Sequence, residues 1–192
     1  SSGVQTAAPA TPAEPATPAT PATPTAAPTA PAVKATDQIK NIVAEAATIF
    51  GRSVESVLAA VGAMKDAKAE AAAETKYTAK LVSGLKNVTA EMKTAITNFV
   101  NYGTPTTKVL GAGERAGVVS SYKAAFGKVP ATEAEWSDVI KIGNGRWPSV
   151  TSSAAETKAA VEFKKGYKRT ADKKKPNDNA AVTVISYGLR PA

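Results

Sequence analysis

Tyr122-Lys-Ala-Ala-Phe126, followed by Val139-Ile-Lys-Ile142, Gly145 and Pro148, is met again as Phe163-Lys-Lys-Gly-Tyr167, Val182-Thr-Val-Ile185, Gly188 and Pro191. In each copy two aromatic residues stand four apart, as on one face of a helix. In each, a Val and an Ile lie six and three residues before a glycine that precedes a proline by three. The second copy is two residues longer between aromatic pair and glycine. This duplication predicts two helical hairpins and an all-α fold. Neither hairpin can bury its aromatic face alone, so the two are expected to pair into a small four-helix bundle over residues 104–192. Its expected core is Tyr122, Phe126, Trp136, Phe163 and Tyr167.

Local signals support the helices. Thr132 and Glu135 have the spacing of a capping box in front of Trp136. Asn177, Asp178 or Asn179 can cap the last helix. Taken alone, residues 181–186, Ala-Val-Thr-Val-Ile-Ser, alternate like a strand. Their match to the helix that carries Trp136 favours helix.

Upstream, residues 33–103 also read as helix. Thr36 or Asp37 can cap a start, and Ile39, Ile42, Val43, Ala46, Ile49 and Phe50 keep three-four spacing up to Gly51. From Ser53 the apolar residues fall into heptad register: Val57, Met64, Leu85, Met92 and Phe99 in one row, Leu81 and Val88 in the other. Unbroken to Tyr102, such a helix would be roughly 75 Å long. Ser83-Gly84 is an alternative break that would fold the segment into a hairpin. Gly103-Thr104-Pro105 ends it. The seven heptad residues are the expected seam of an assembly between helices.

Residues 1–32 hold eight of the thirteen prolines and a single charge, Glu14. They cannot bury enough apolar surface to offset the entropy of ordering, so an extended arm is expected. Prolines recur every third residue from Pro9 to Pro24, the period of polyproline II, with Thr11, Thr17, Thr20 and Thr23 on a second edge. Those threonines are the acceptors that an O-glycosylated stalk would use.

The inventory excludes much chemistry. The 192 residues contain no Cys and no His, so zinc fingers, thiol nucleophiles and Ser-His-Asp triads are ruled out. No enzymatic activity, cofactor or metal site is expected. Gly111-Ala-Gly113-Glu-Arg-Ala-Gly117 lacks the strand and the Lys-Ser/Thr of a phosphate loop. Asp172, Asn177, Asp178 and Asn179 lack the Gly and Glu of a calcium loop. Asn87-Val-Thr89 matches an N-glycosylation acceptor but falls within the predicted helix.

Charge is uneven. Residues 104–192 carry fifteen basic and eight acidic side chains, a net +7. Lys164, Lys165, Lys168, Lys173, Lys174 and Lys175, with Arg169, form a run that could meet a polyanion. No base-reading motif accompanies it, which disfavours nucleic acid. Trp147, beside Arg146 and Pro148, is a candidate sugar-stacking ring. No apolar run is long enough to span a bilayer.

The segment Glu114-Arg-Ala-Gly-Val-Val-Ser-Ser-Tyr-Lys-Ala-Ala-Phe-Gly-Lys-Val-Pro130, with Glu135-Trp136, Gly145-Arg-Trp-Pro148 and Pro176 to Pro191, resembles a helical module of large secreted surface proteins. These belong to bacteria of the candidate phyla radiation, and some are S-layer-like. The resemblance covers about residues 112–191. It implies a place outside the cell, on its surface; independently, a start at Ser1 rather than Met fits the expectation of a chain whose secretion signal has been removed. It carries over no ligand residues. The expected function is a self-assembling structural subunit of an extracellular filament, sheath or surface layer, with identical subunits as partners. The alternative is a module that binds cell-envelope polymer or glycan, displayed on the Pro/Thr stalk.

Overall fold

A computed structural model describes residues 35–188, and among them every regular element is helical. The order is α1 (Ala35–Ile49), α2 (Val54–Val61), α3 (Ala67–Ala73), a π-helical turn (Glu74–Thr78), α4 (Ala79–Val82), α5 (Ala90–Tyr102), α6 (Ala112–Phe126), α7 (Glu133–Gly143), α8 (Ser153–Tyr167) and α9 (Pro176–Tyr187). The all-α expectation holds, and residues 181–186 are helix. The proline-rich arm and Thr11, Thr17, Thr20 and Thr23 lie outside the described residues.

The long heptad helix is not formed. Gly62, in the left-handed region at φ 70°, returns its N–H to Leu58 O and stops α2. Asp66 starts α3 by accepting from Ala69 N at 2.9 Å. Ser83-Gly84 ends α4, as the alternative reading had it. Thr89 then caps α5, accepting from Met92 N at 3.1 Å. Asn87-Val-Thr89 consequently lies in the α4–α5 loop and not in a helix.

The rod made of α3, the π turn and α4 folds back along α5. The Tyr102 hydroxyl donates to Glu70 Oε1 at 2.6 Å and accepts from Asp66 N at 2.9 Å. Further along, the hydroxyls of Thr78 and Thr97 meet at 2.8 Å. These contacts fix an antiparallel pair.

The expected assembly seam is therefore spent inside one chain. Val57, Leu81 and Phe99 are buried in the main core. Leu85, Val88 and Met92 pack against its edge. Met64, on the α2–α3 turn, is 89% exposed and belongs to neither core. A heptad stripe demands cover, and antiparallel folding within the chain supplies it over the shortest loops.

Nor does packing divide at residue 103. Ile42, Ala46 and Ile49 of α1 share one core with Phe99, Trp136, Val139, Ile140 and Tyr187, so residues 33–103 and 104–192 are not separate bodies. Helix α1 lies along α7. Phe99 and Trp136 meet at 5.2 Å between ring centroids at the centre. The expected four-helix bundle is thus incomplete by itself: the first hairpin is covered by α1, and the second keeps a small core of its own from Ala159, Phe163, Ala181 and Val182.

Two buried ionic groups hold the loop between α5 and α6. Arg115 donates from Nε to Val100 O at 2.9 Å, from Nη2 to Asn101 O at 3.0 Å, and from Nη1 to Thr107 O at 3.3 Å and to Leu110 O. A cation at the carbonyl end of α5 also suits that helix's dipole. From α1, Glu45 accepts from Thr106 N at 2.5 Å and from Thr106 Oγ1 at 2.7 Å. Glycine is required at 103, where φ is 76° and a Cβ would stand 3.0 Å from Arg115 Cδ. The glycine-rich stretch from Gly111 to Gly117 is an ordinary helix start: Gly111 precedes α6, and a Cβ at Gly113 would stand 3.3 Å from the Tyr77 hydroxyl.

Candidate functional site: the basic edge of the second hairpin

The two hairpins repeat more than sequence. Residues 112–126 and 153–167 are both helices of 15 residues. Tyr122 and Phe126 contact at 4.6 Å between centroids, and Phe163 and Tyr167 at 4.4 Å. Gly127 ends α6 in the left-handed region at φ 71°, and Lys168 ends α8 there at φ 59°. The next residue is basic in both, and it pairs with the carboxylate at the third position of the following helix: Lys128 with Glu135 at 2.9 Å, Arg169 with Asp178 at 2.6 Å. An N-terminal carboxylate favours the helix dipole in each.

What distinguishes the second hairpin is its charge. Between residues 164 and 175 stand seven basic residues and one acidic, a net +6 out of +8 for the chain. Lys164 and Lys165 lie in the last turn of α8, where cations are favourable. Lys173 and Lys174 lie in the following turn, and Lys175 is the residue that precedes α9. Lysine at a helix start is locally unfavourable, and the sequence places three there. Such departures from local rules gather at functional sites.

All six lysines are exposed, and among the described residues none of them has an ion-pair partner. Arg169 is committed to Asp178. Its two terminal nitrogens donate to Asp178 Oδ2 and Oδ1 at 2.6 and 2.8 Å, and its guanidinium lies 5.2 Å from the Phe163 ring. Asp178 also accepts from Asp172 N at 2.8 Å. Arg169 and this backbone bond hold the Asp178 carboxyl well below the usual carboxylate range. These bonds occupy both Asp178 oxygens, Asp172 Oδ1 accepts from Lys174 N at 3.0 Å, and Lys175, not Asn177, Asp178 or Asn179, stands at the cap position, with Pro176 opening the helix. Among the described residues no cluster of acidic side chains could hold a metal ion.

Tyr167 is a correction to the expected core. It is 40% exposed, because the last turn of α8 runs past the end of the second core; its ring stacks on buried Phe163 and is otherwise open to solvent within a lysine-rich stretch. Its lysine neighbours in sequence were the signal for a surface position. Tyr122, Trp136 and Phe163 are buried as expected, and Phe126 packs at the core's margin.

Trp147 is not part of this edge. It sits in the α7–α8 loop, edge-on to Tyr187 at 5.8 Å. Tyr187 ends α9 and the lysines precede its start, so roughly 17 Å of helix separates them. Tyr187 itself is the joint that sequence reading missed. Its ring lies 6.1 Å from Phe126, and its hydroxyl accepts from Ser152 N at 2.7 Å, tying α9 to the start of α8. The capping box at Thr132 is half-made: Thr132 accepts from Glu135 N at 3.1 Å, while the Glu135 carboxylate turns to Lys128 and Tyr122.

No protein family, curated protein or solved structure matches the chain. Among the described residues no helix is long and apolar enough to cross a membrane.

Proposed function

We propose that the chain is a binding module for an anionic polymer of the cell envelope, one bearing carboxylate or phosphate groups, and that it works at the outer surface of a cell. The observation that carries this reading is the set of six exposed, unpaired lysines within twelve residues at one end of a hairpin. A repeated anion can neutralise several of them at once and release its counterions. The half-exposed ring of Tyr167 adds a flat apolar surface within the same stretch. A single ring already stacked on Phe163 is a poor platform for successive bases, which favours a polymer over nucleic acid.

The test is binding of the full chain to polygalacturonate and to polyphosphate by titration calorimetry at several salt concentrations. Affinity that falls steeply with salt and is lost in the Lys173→Gln/Lys174→Gln/Lys175→Gln variant supports the reading. Binding unchanged by that variant, or tighter binding to a single-stranded DNA of matched charge, sinks it.

Self-assembly into a surface layer or filament is the second reading. Its original support, the heptad seam, is packed within the chain except at Met64, and it retains the exposed Val161 and Val184 on the packed pair α8 and α9. Sedimentation across a range of protein concentration separates the two readings.

A further inference from the structure

A second feature lies far from the basic edge in sequence. The antiparallel pair formed by α3, the π turn and α5 leaves a groove of about 380 Å³. Glu70 and Glu74 line one side, Lys93 and Thr94 the other, with Asn98 also in the lining. That volume falls within the range of small-molecule sites. Asn98 is 4% exposed, yet its amide nitrogen has no hydrogen-bond partner among the described residues. An orphaned buried donor is costly, and native chains keep few of them without a reason. One wall includes the π turn, a helix defect that recurs at functional sites.

The groups left free narrow the chemistry. Glu70 is engaged by Tyr102 and Lys65. Among the described residues the side chains of Glu74, Lys93 and Thr94 make no hydrogen bond or ion pair, and Lys93 bridges neither glutamate. A simple anion would meet two carboxylates, and a simple cation would meet Lys93 and leave the Asn98 donor unanswered. A neutral sugar would find no aromatic ring in the lining. A ligand with both signs answers all of them.

We propose that this groove binds a small zwitterion of the amino-acid or dipeptide class, its ammonium group directed to Glu74 and its carboxylate to Lys93 and the Thr94 hydroxyl, with the covered Asn98 amide turning outward to meet it. Such a site is separate from the polymer-binding edge and does not depend on it.

The experiment is a titration of the isotope-labelled full chain with L-alanyl-L-alanine, followed by NMR, with glucose and acetate as comparison probes. The expected result is a saturable shift of the Asn98 side-chain amide and of the backbone amides of α3 and α5 at dipeptide concentrations up to about 10 mM. Glu74→Gln and Lys93→Met, both exposed positions, should each weaken binding about fivefold without changing the melting midpoint. No saturable shift overturns the proposal. So does an equal or stronger response to glucose or acetate, or a response that survives intact in both variants.

Discussion

Arg169 grips both carboxylate oxygens of Asp178, at 2.6 and 2.8 Å, where the first hairpin has a single contact of 2.9 Å between Lys128 and Glu135. The station is the same in both hairpins, one residue past a left-handed helix end and at the third residue of the next helix. The planar fork of arginine makes the second clasp two-pronged.

This clasp sets an acid limb. Arg169, then the Asp172 N–H, lower the Asp178 pKa below its ordinary value. The stabilisation it contributes is complete above the ordinary carboxylate pKa, about 4, and is lost as pH falls toward the depressed value. Melting midpoints of the Asp178→Asn variant should be lower than wild type near neutrality and should converge with it in acid. Parallel curves down to about pH 2 would contradict the assignment.

Three buried tyrosines set the alkaline limb. Burial, and for Tyr122 also the charge of Glu135, raises the pKa of Tyr102, Tyr122 and Tyr187. The folded state therefore favours the neutral phenol, a contribution constant below about pH 10 and lost as pH rises through the folded values. The sequence has no His or Cys, the side chains whose reference pKa lies nearest neutrality, so stability should be flat between about pH 6 and 8. Tyr122→Phe should shallow the alkaline fall and keep the plateau, as read by chemical denaturation at a series of pH values.

Arg115 is the most demanding single residue of the interior. Replacement by Met strands the carbonyls of Val100, Asn101, Thr107 and Leu110 and should cost about 3 kcal/mol in urea unfolding. Arg115→Lys should recover little, because an ammonium cannot serve the same fork of acceptors. A loss below about 0.5 kcal/mol for Met would mean that water replaces the guanidinium freely.

The heptad residues distinguish internal packing from an intermolecular seam. Leu81→Ala should cost about 3 kcal/mol independently of protein concentration, whereas Met64→Ser should change stability by less than about 0.5 kcal/mol. A Leu81→Ala loss that grows on dilution would restore the seam between copies.

Lys168 adopts the conformation that glycine supplies at 127, at φ 59°. Lys168→Gly should stabilise the fold by about 0.5 kcal/mol in thermal denaturation, the relief of left-handed strain less the added freedom of the unfolded chain.

The sequence by itself determined the helical class, the duplicated hairpin and several helix ends, because these rest on spacing and on the backbone limits of glycine and proline. Gly84, Gly103 and Gly127 stop helices by local geometry alone, and Lys164 to Lys175 are legible as a charged edge in any helical arrangement. The tertiary structure alone decided which face covers which. An apolar stripe such as that of Val57, Leu81 and Phe99 states only that it will be buried; its partner is chosen by competition among all the faces that loop lengths allow to meet. The same competition laid α1 along α7, pushed Tyr167 outward, and set Asn98 in a groove between two helices whose pairing no local pattern encodes.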